Sequence, residues 1–125
     1  MQSKFFNHQG ASLHYQIGGK EAASVMVLLH GGFGSIADFE PLLPRLLQHY
    51  RVIAVDTRGH GRSTLGTTAL TYAQAADDVR QILRNESVEN YSLFGFSDGG
   101  ITAYRLGAED KNVEKIITVG AEWHQ

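Results

Sequence analysis

The sequence contains no cysteine, which excludes disulfide frameworks and metal sites built from thiolates. It also lacks long hydrophobic runs. The longest uninterrupted apolar stretch, Val25–Leu29, is far too short to span a bilayer, and the first residues are not followed by the apolar core of a signal peptide. Because nothing in the sequence indicates export or a membrane anchor, we expect a cytoplasmic protein without a membrane partner.

Charge of one sign is not concentrated in any block. The 11 Lys and Arg residues and the 13 Asp and Glu residues are mixed along the chain, for a formal net charge of −2. Nucleic-acid-binding proteins normally carry a basic patch, so nucleic acid is not an expected partner. A chain of 125 residues without repeats or linkers can bury one core, which predicts a single domain over residues 1–125.

Short apolar runs divide the chain, and they are typical of strands buried on both faces. These runs are Val25–Leu29, Val52–Val55, Tyr91–Phe94 and Ile116–Val119. Ahead of them, residues 4–17 predict a peripheral hairpin with its turn near Gly10.

Segments of helical period lie between the predicted strands. Each places its apolar residues on one stripe: Phe39, Leu42, Leu43, Leu46 and Leu47 in the first, and Tyr72, Ala75, Ala76, Val79, Ile82 and Leu83 in the second. Thr71 and Gln74 form a capping-box pattern at the second helix, whereas Pro41 and Pro44 leave the start of the first open. Alternating strands and helices predict a doubly wound α/β fold with a mostly parallel sheet, helices on both sides and an N-terminal hairpin.

The most specific motif is Gly95-Phe96-Ser97-Asp98-Gly99, which follows the predicted strand Tyr91–Phe94 and precedes a helix expected to begin near Asp98 or Gly99. A serine hydroxyl is a weak nucleophile, and a sharp strand-to-helix turn exposes it to a base. The flanking glycines allow such a turn to close. We therefore predict that Ser97 is a catalytic nucleophile and that the amide of Asp98, at a helix N-terminus, is one oxyanion donor.

Two further segments make the chain resemble the α/β-hydrolase superfamily. His30-Gly31-Gly32-Phe33-Gly34 follows the first buried strand, and Asp56-Thr57-Arg58-Gly59-His60-Gly61-Arg62-Ser63 follows the second. The resemblance implies a serine hydrolase without a cofactor, acting on an ester, amide or related carbonyl compound. It implies that the His-Gly turn supplies the second oxyanion amide, from Gly32 or alternatively Phe33, and that the loop beginning at Asp56 is structural.

The same early turn also fits a dinucleotide-binding pattern. The segment from Gly32 to Ala37 matches Gly-x-Gly-x-x-Ala between a strand and a helix, and Asp56 ends the next strand, where an acidic residue would meet a ribose. That hypothesis leaves the motif around Ser97 unexplained, so we rank it third.

The resemblance places the triad acid and base after the nucleophile, but only 28 residues follow Ser97. Glu122 is a further candidate for the acid, and His124 lies too close to the chain end to be expected as the base. The upstream histidines belong to turn motifs (His30 and His60) or to peripheral elements (His8, His14 and His49). No cluster has convincing metal-ligand spacing, and Asp77-Asp78 is interpreted as a helix surface.

We therefore expect the rest of the triad to lie beyond residue 125. The strand at residues 116–119 would then expose an unpaired edge, which predicts either a complementary C-terminal chain or self-association through that strand. The second functional hypothesis is a non-catalytic, hydrolase-like binding or assembly module.

Overall fold

The computed structural model describes residues 1–120, and these form one mixed sheet flanked by helices. The strands are β1 (Gln2–His8), β2 (Ala11–Gly19), β3 (Val25–Leu29), β4 (Arg51–Val55), β5 (Tyr91–Phe96) and β6 (Val113–Val119). The α-helices are α1 (Leu43–His49), α2 (Tyr72–Asn85) and α3 (Asp98–Glu109), and a 3₁₀ helix spans Ile36–Phe39. In the part of the chain described, none of these helices has the length and apolar character needed to cross a bilayer.

The sheet confirms the predicted doubly wound α/β class. Its strand order is β1-β2-β4-β3-β5-β6. Strands β4, β3, β5 and β6 run parallel to their neighbours, whereas β1 and β2 pair antiparallel and β2 continues antiparallel onto β4. The carboxyl ends of β3, β4 and β5 therefore meet at one edge, and the loops that carry the predicted motifs follow these ends.

Alternate residues of the central strands pack into two separate hydrophobic cores, one on each face of the sheet. Val27 and Leu29 of β3 pack into the core formed with α2 and α3, while Met26 and Leu28 pack into the core that contains the 3₁₀ helix and borders α1. Because side chains of a strand point to opposite faces in turn, this division explains why β3 reads as an unbroken apolar run.

The helix starts follow local capping chemistry. The Thr71 side chain accepts a hydrogen bond from the amide of Gln74, which fixes the start of α2. Ahead of α1, Ser35 and Asp38 form a capping box around the 3₁₀ helix, and α1 itself begins only at Leu43, with Pro44 in its first turn. The prolines thus divide the predicted first helix into two short helices.

Three interpretations of the sequence are wrong in the structure. The hairpin is not peripheral throughout, because β2 lies inside the sheet and buries Leu13, His14 and Tyr15. Strand β6 is not buried on both faces; it has exposed positions at Ile117 and Val119. Asp78 is not part of a helix surface but is buried.

The burial of Asp78 is explained by Arg58. The guanidinium donates from Nε and Nη2 to the two carboxylate oxygens at 3.0 and 2.9 Å, and both side chains are almost fully buried. Its other donors reach carbonyl oxygens of the β1–β2 turn and of the loop that follows Arg58: those of His8, Gln9 and Leu65. The Asp78 side chain therefore ties the α2 helix to the hairpin and to the β4–α2 connection through one buried ion pair.

Asp78→Asn is expected to lower the free energy of unfolding by about 3 to 5 kcal/mol, because it leaves the buried Arg58 charge uncompensated. The matched control is Asp77→Asn on the same helix, where the carboxylate is partly exposed and contacts His8 and Arg80. That variant should lose less than about 1 kcal/mol. Urea unfolding of both variants measures the difference, and equal losses would contradict the assigned role of the Arg58–Asp78 pair.

Candidate active site

Ser97 stands alone between β5 and α3, at a sharp turn of the backbone. Its φ of 54° and ψ of −116° lie in a region that non-glycine residues rarely adopt, as the predicted strained turn requires. Hydrogen bonds hold this conformation, because the Ser97 amide donates to the carbonyl of Val119 at 2.9 Å and its own carbonyl accepts from Gly100 at 2.8 Å. The side chain is half-buried at the carboxyl edge of the sheet.

The two glycines of the motif are required by backbone contacts. A methyl group on Gly95 would lie 2.5 Å from the Gly99 carbonyl oxygen, and one on Gly99 would lie 2.0 Å from the carbonyl oxygen of Leu29. Neither neighbour is a side chain that could rotate away. The start of α3 therefore packs directly against the ends of β5 and β3.

The His-Gly turn after β3 lies against Ser97. A methyl group on Gly31 would be 3.2 Å from Ser97 Cβ, and one on Gly32 would be 2.6 Å from an Asp98 carboxylate oxygen. The structure therefore brings Ser97, Gly32 and Asp98 together. Phe33, the alternative oxyanion residue, follows with a φ of 61° and a fully exposed side chain.

Backbone amides without a hydrogen-bond acceptor within residues 1–120 lie in the His-Gly turn and at the start of α3. The Gly34 amide donates to the Gly31 carbonyl at 3.1 Å, whereas within residues 1–120 the amides of Gly32, Phe33 and Asp98 donate to no protein acceptor. The Asp98 amide is free because it belongs to the first residue of a helix. Such unpaired donors beside a serine can bind an oxygen that carries negative charge.

The loop that begins at Asp56 is built around its carboxylate. Oδ1 accepts from the Ile36 amide at 2.8 Å, and Oδ2 accepts from the Arg62 amide at 3.0 Å and lies 2.7 Å from His14 Nδ1. Burial alone would raise the pKa of Asp56, but the Arg62, His14 and Ile36 hydrogen bonds outweigh it and hold that pKa below its ordinary value. Asp56 is only 2% exposed, and both carboxylate oxygens already have hydrogen-bond partners within the protein. A ribose hydroxyl could not reach them, which disfavours the dinucleotide hypothesis.

His30 and His60 hydrogen-bond to the loops around them, and within residues 1–120 neither makes a hydrogen bond to Ser97. His30 Nδ1 donates to the Gly31 carbonyl at 2.6 Å, and its Nε2 accepts from the Thr57 amide at 3.0 Å. Burial lowers the pKa of His30, which favours this neutral form. His60 Nδ1 is 3.2 Å from Thr57 Oγ1 and 3.1 Å from the Arg58 carbonyl. Both rings therefore position backbone segments.

A cleft of about 450 Å³ opens beside the elbow, the strand-to-helix turn at Ser97. Its lining includes the His-Gly turn, Thr57, His60, Asp98 and the first turn of α2. The sequence placed Tyr72 on the apolar stripe of the second helix and did not predict it as a site residue. In the structure its hydroxyl donates to Asp98 Oδ1 at 3.0 Å across this cleft. The only signal was its place directly after the Thr71 cap.

Other features lie away from this cleft. A cavity of about 580 Å³ lies between α2, the start of β5 and the end of α3, and contains none of the predicted site residues. His8 Nε2 lies 2.8 Å from Asp77 Oδ2, and together with Asp78 these groups are close enough to meet at one ion. Arg58 already neutralises Asp78, so the cluster has the chemistry of an ion-pair network. Glu122 and His124 lie outside the described residues.

The known proteins that this chain resembles in sequence include hydrolases. A family model described as alpha/beta hydrolase fold matches residues 24–125. The 3-oxoadipate enol-lactonase 1 of Acinetobacter baylyi is 36% identical over 101 residues, which cover 81% of this chain and 38% of that protein. The sn-1-specific diacylglycerol lipase ABHD11 of Xenopus laevis is 36% identical over 97 residues, covering 75% of this chain and 31% of the lipase.

Solved structures agree with this result. A carboxylesterase structure from Nitrososphaera gargenis superposes with a TM-score of 0.90 at 29% identity, covering 95% of this chain and 46% of its own. The enol-lactonase of Burkholderia xenovorans gives 0.86 at 28% identity, with coverages of 90% and 45%. The chain thus spans less than half the length of these relatives.

Gly99→Ala is expected to destabilise the protein by about 1 to 3 kcal/mol or more, because the added methyl group meets the backbone of Leu29 and cannot be accommodated by a rotamer change. The control is Gly107→Ala in the same helix, where the methyl group meets only the flexible end of Ile116 and alanine favours the helix. Thermal unfolding of both variants tests this contact. A Gly99→Ala protein as stable as Gly107→Ala would contradict it.

Asp56→Asn is expected to have a lower free energy of unfolding than the wild type at pH 7. The difference in free energy of unfolding between the two proteins should narrow as the pH falls. The folded-state pKa of Asp56 lies below its ordinary value of 3.8, so its contribution is full above that pH and is lost as the carboxylate is protonated below it. The free energy of unfolding of both proteins is measured from pH 7 down to about pH 3. A gap that stays constant over this range would show that the Asp56 charge does not stabilise the fold.

Proposed function

The chain belongs to the α/β-hydrolase family, and on that premise we propose that it is a serine hydrolase of an ester, amide or related carbonyl substrate, with Ser97 as its nucleophile. The observation that carries the proposal is the strained Ser97 backbone at a strand-to-helix turn, packed against the His-Gly turn. The named relatives are hydrolases, which supports hydrolysis as the reaction class. The substrates in their names belong to those proteins.

In the proposed reaction, Ser97 Oγ attacks the substrate carbonyl carbon and loses its proton to a base. The carbonyl oxygen becomes an oxyanion held by the amides of Gly32 and Asp98, with Phe33 as the alternative to Gly32. The intermediate then expels the alcohol or amine, which takes up the proton, and water releases the acyl group from Ser97. The Tyr72–Asp98 hydrogen bond supports this arrangement by fixing the first turn of α3 against α2.

We propose that the base and the acid of the triad lie beyond residue 125. The described histidines have other surroundings: His30 and His60 hold loops, His8 and His14 pair with Asp77 and Asp56, and His49 is exposed at the end of α1. Glu122 stays a candidate for the acid. A complete triad is needed for full turnover because the serine must be deprotonated as it attacks.

We also propose that β6 pairs with further polypeptide, either a complementary chain or a second copy. Among the described strands, β6 hydrogen-bonds only to β5, and its side chains at Ile117 and Val119 are exposed. An unpaired strand edge is a ready template for another strand. Such pairing would also steady the Val119 carbonyl, which accepts the hydrogen bond from the Ser97 amide.

Ser97→Ala is expected to abolish labelling by a fluorophosphonate at the elbow and to lower hydrolysis of a p-nitrophenyl ester at least ~10³-fold, since the acyl acceptor is lost. The matched control is Ser87→Ala, because Ser87 is an exposed serine with a similar φ of 57° but lies at the end of α2. Peptide mass spectrometry of the purified full-length protein locates the adduct, and the ester assay gives the rate.

Either of two results would reject the proposed nucleophile. One is an unlabelled Ser97 in a folded protein that still hydrolyses the ester, and the other is a Ser97→Ala variant with undiminished turnover. A folded protein with neither labelling nor turnover would favour the alternative of a non-catalytic, hydrolase-like module.

A further inference from the structure

A second serine, histidine and aspartate lie in line on the N-terminal hairpin. Ser3 Oγ of β1 is 3.0 Å from His14 Nε2 of β2, and His14 Nδ1 is 2.7 Å from Asp56 Oδ2 at the end of β4. None of these residues lines the cleft beside Ser97. The group is complete within the described residues and does not depend on any part of the proposed Ser97 site.

The strand register explains how the three residues meet. In the β1–β2 pairing, Ser3 is opposite Gln16 and Phe5 is opposite His14, so all four side chains belong to the same face of the hairpin. Ser3 and His14 are diagonal neighbours on that face. His14 and Asp56 are each 2% exposed, whereas Ser3 lies at the surface. The buried His14–Asp56 pair therefore contacts the solvent-accessible hydroxyl of Ser3.

The hydrogen bonds of Asp56 assign the carboxylate its role as an acceptor. The Asp56 carboxylate also accepts two backbone amides, so it is an ionised acceptor and His14 Nδ1 donates to it. His14 Nε2 then faces the Ser3 hydroxyl at 3.0 Å, which is the contact through which the ring would accept the serine proton. Gln16 Nε2 donates to Ser3 Oγ at 3.3 Å, which leaves the serine hydrogen free to point at the ring.

The surroundings hold His14 in place and keep one charge nearby. The Phe5 ring centroid is 5.0 Å from that of His14, and the Arg62 guanidinium lies 5.0 Å from the same Phe5 ring. Phe5 therefore covers the imidazole, and a positive charge flanks the group. These contacts fix the orientation that a general base needs.

We propose that Ser3 is a second nucleophilic serine, which accepts an acyl or phosphoryl group from reagents that carry a good leaving group. In this step Ser3 Oγ forms a bond to the carbonyl carbon or phosphorus, and its proton passes to His14 Nε2. The leaving group departs with its electron pair, as fluoride or p-nitrophenolate, and the proton is then released to solvent. His14 is the general base, and Asp56 is a positioning residue that holds its ring.

The test uses the full chain carrying Ser97→Ala, so that Ser97 contributes nothing to the signal. The folded protein is exposed to a fluorophosphonate, digested with trypsin and analysed by fragment mass spectrometry. Cleavage after Lys4 and Lys20 separates Ser3 from Ser24, an exposed serine that serves as the internal reference. General-base assistance predicts labelling of Ser3 about 10²-fold or more faster than Ser24.

Two comparisons separate base assistance from simple exposure. Labelling of Ser3 should fall to the Ser24 rate in urea-unfolded protein, where the hairpin register is lost. It should fall in the same way in His14→Gln, with circular dichroism confirming that the variant is folded. If that variant does not fold, the urea comparison alone decides.

Ser3→Ala must remove the adduct from the first tryptic peptide. The proposal is overturned if folded Ser3 reacts no faster than Ser24, if urea leaves its rate unchanged, or if folded His14→Gln still reacts at the original rate. Loss of Ser97 chemistry does not affect any of these readings, so the two proposals fail independently.

Discussion

The buried carboxylate of Asp56 is the interaction on which the arrangement of the loops depends. It accepts the Ile36 amide, which fixes the segment after the His-Gly turn, and the Arg62 amide, which closes its own loop. It also meets His14 in the hairpin. A buried charge is tolerated only when its oxygens are filled by donors, so all these segments must be in place together. Asp56 is itself a member of the group at Ser3, and through the Ile36 amide it holds the segment that follows the His-Gly turn beside Ser97.

The second constraint is the close approach of backbones at the elbow. The Gly99 Cα faces the carbonyl of Leu29 with no room for a side chain, and Gly95 faces the first turn of α3 in the same way. This contact forces β5 to turn sharply into the helix, and the strain falls on Ser97. The same packing brings the first residue of α3, Asp98, against the turn that contains Gly32. The proposed oxyanion donors are therefore a consequence of the glycine positions.

Histidines of one chain serve different purposes because their environments differ. His30 is buried between a carbonyl and an amide, so both of its nitrogens are committed to the backbone. His14 is equally buried, but one of its nitrogens meets a carboxylate and the other a surface hydroxyl. The first arrangement locks two loops together, and the second has the geometry of a relay. Residue type and sequence position alone do not distinguish these cases.

The amino-acid sequence by itself determined the α/β class, the order of strands and helices, and the strained turn at Ser97. These follow from local periodicity and from glycines at fixed spacing, which act over a few residues. Only the tertiary structure decided that Asp78 is buried against Arg58, that β2 lies inside the sheet, and that β6 is half exposed. It alone placed Tyr72 on Asp98 and Ser3 on His14. Those contacts join distant parts of the chain, and they depend on strand order and register, which no local pattern encodes.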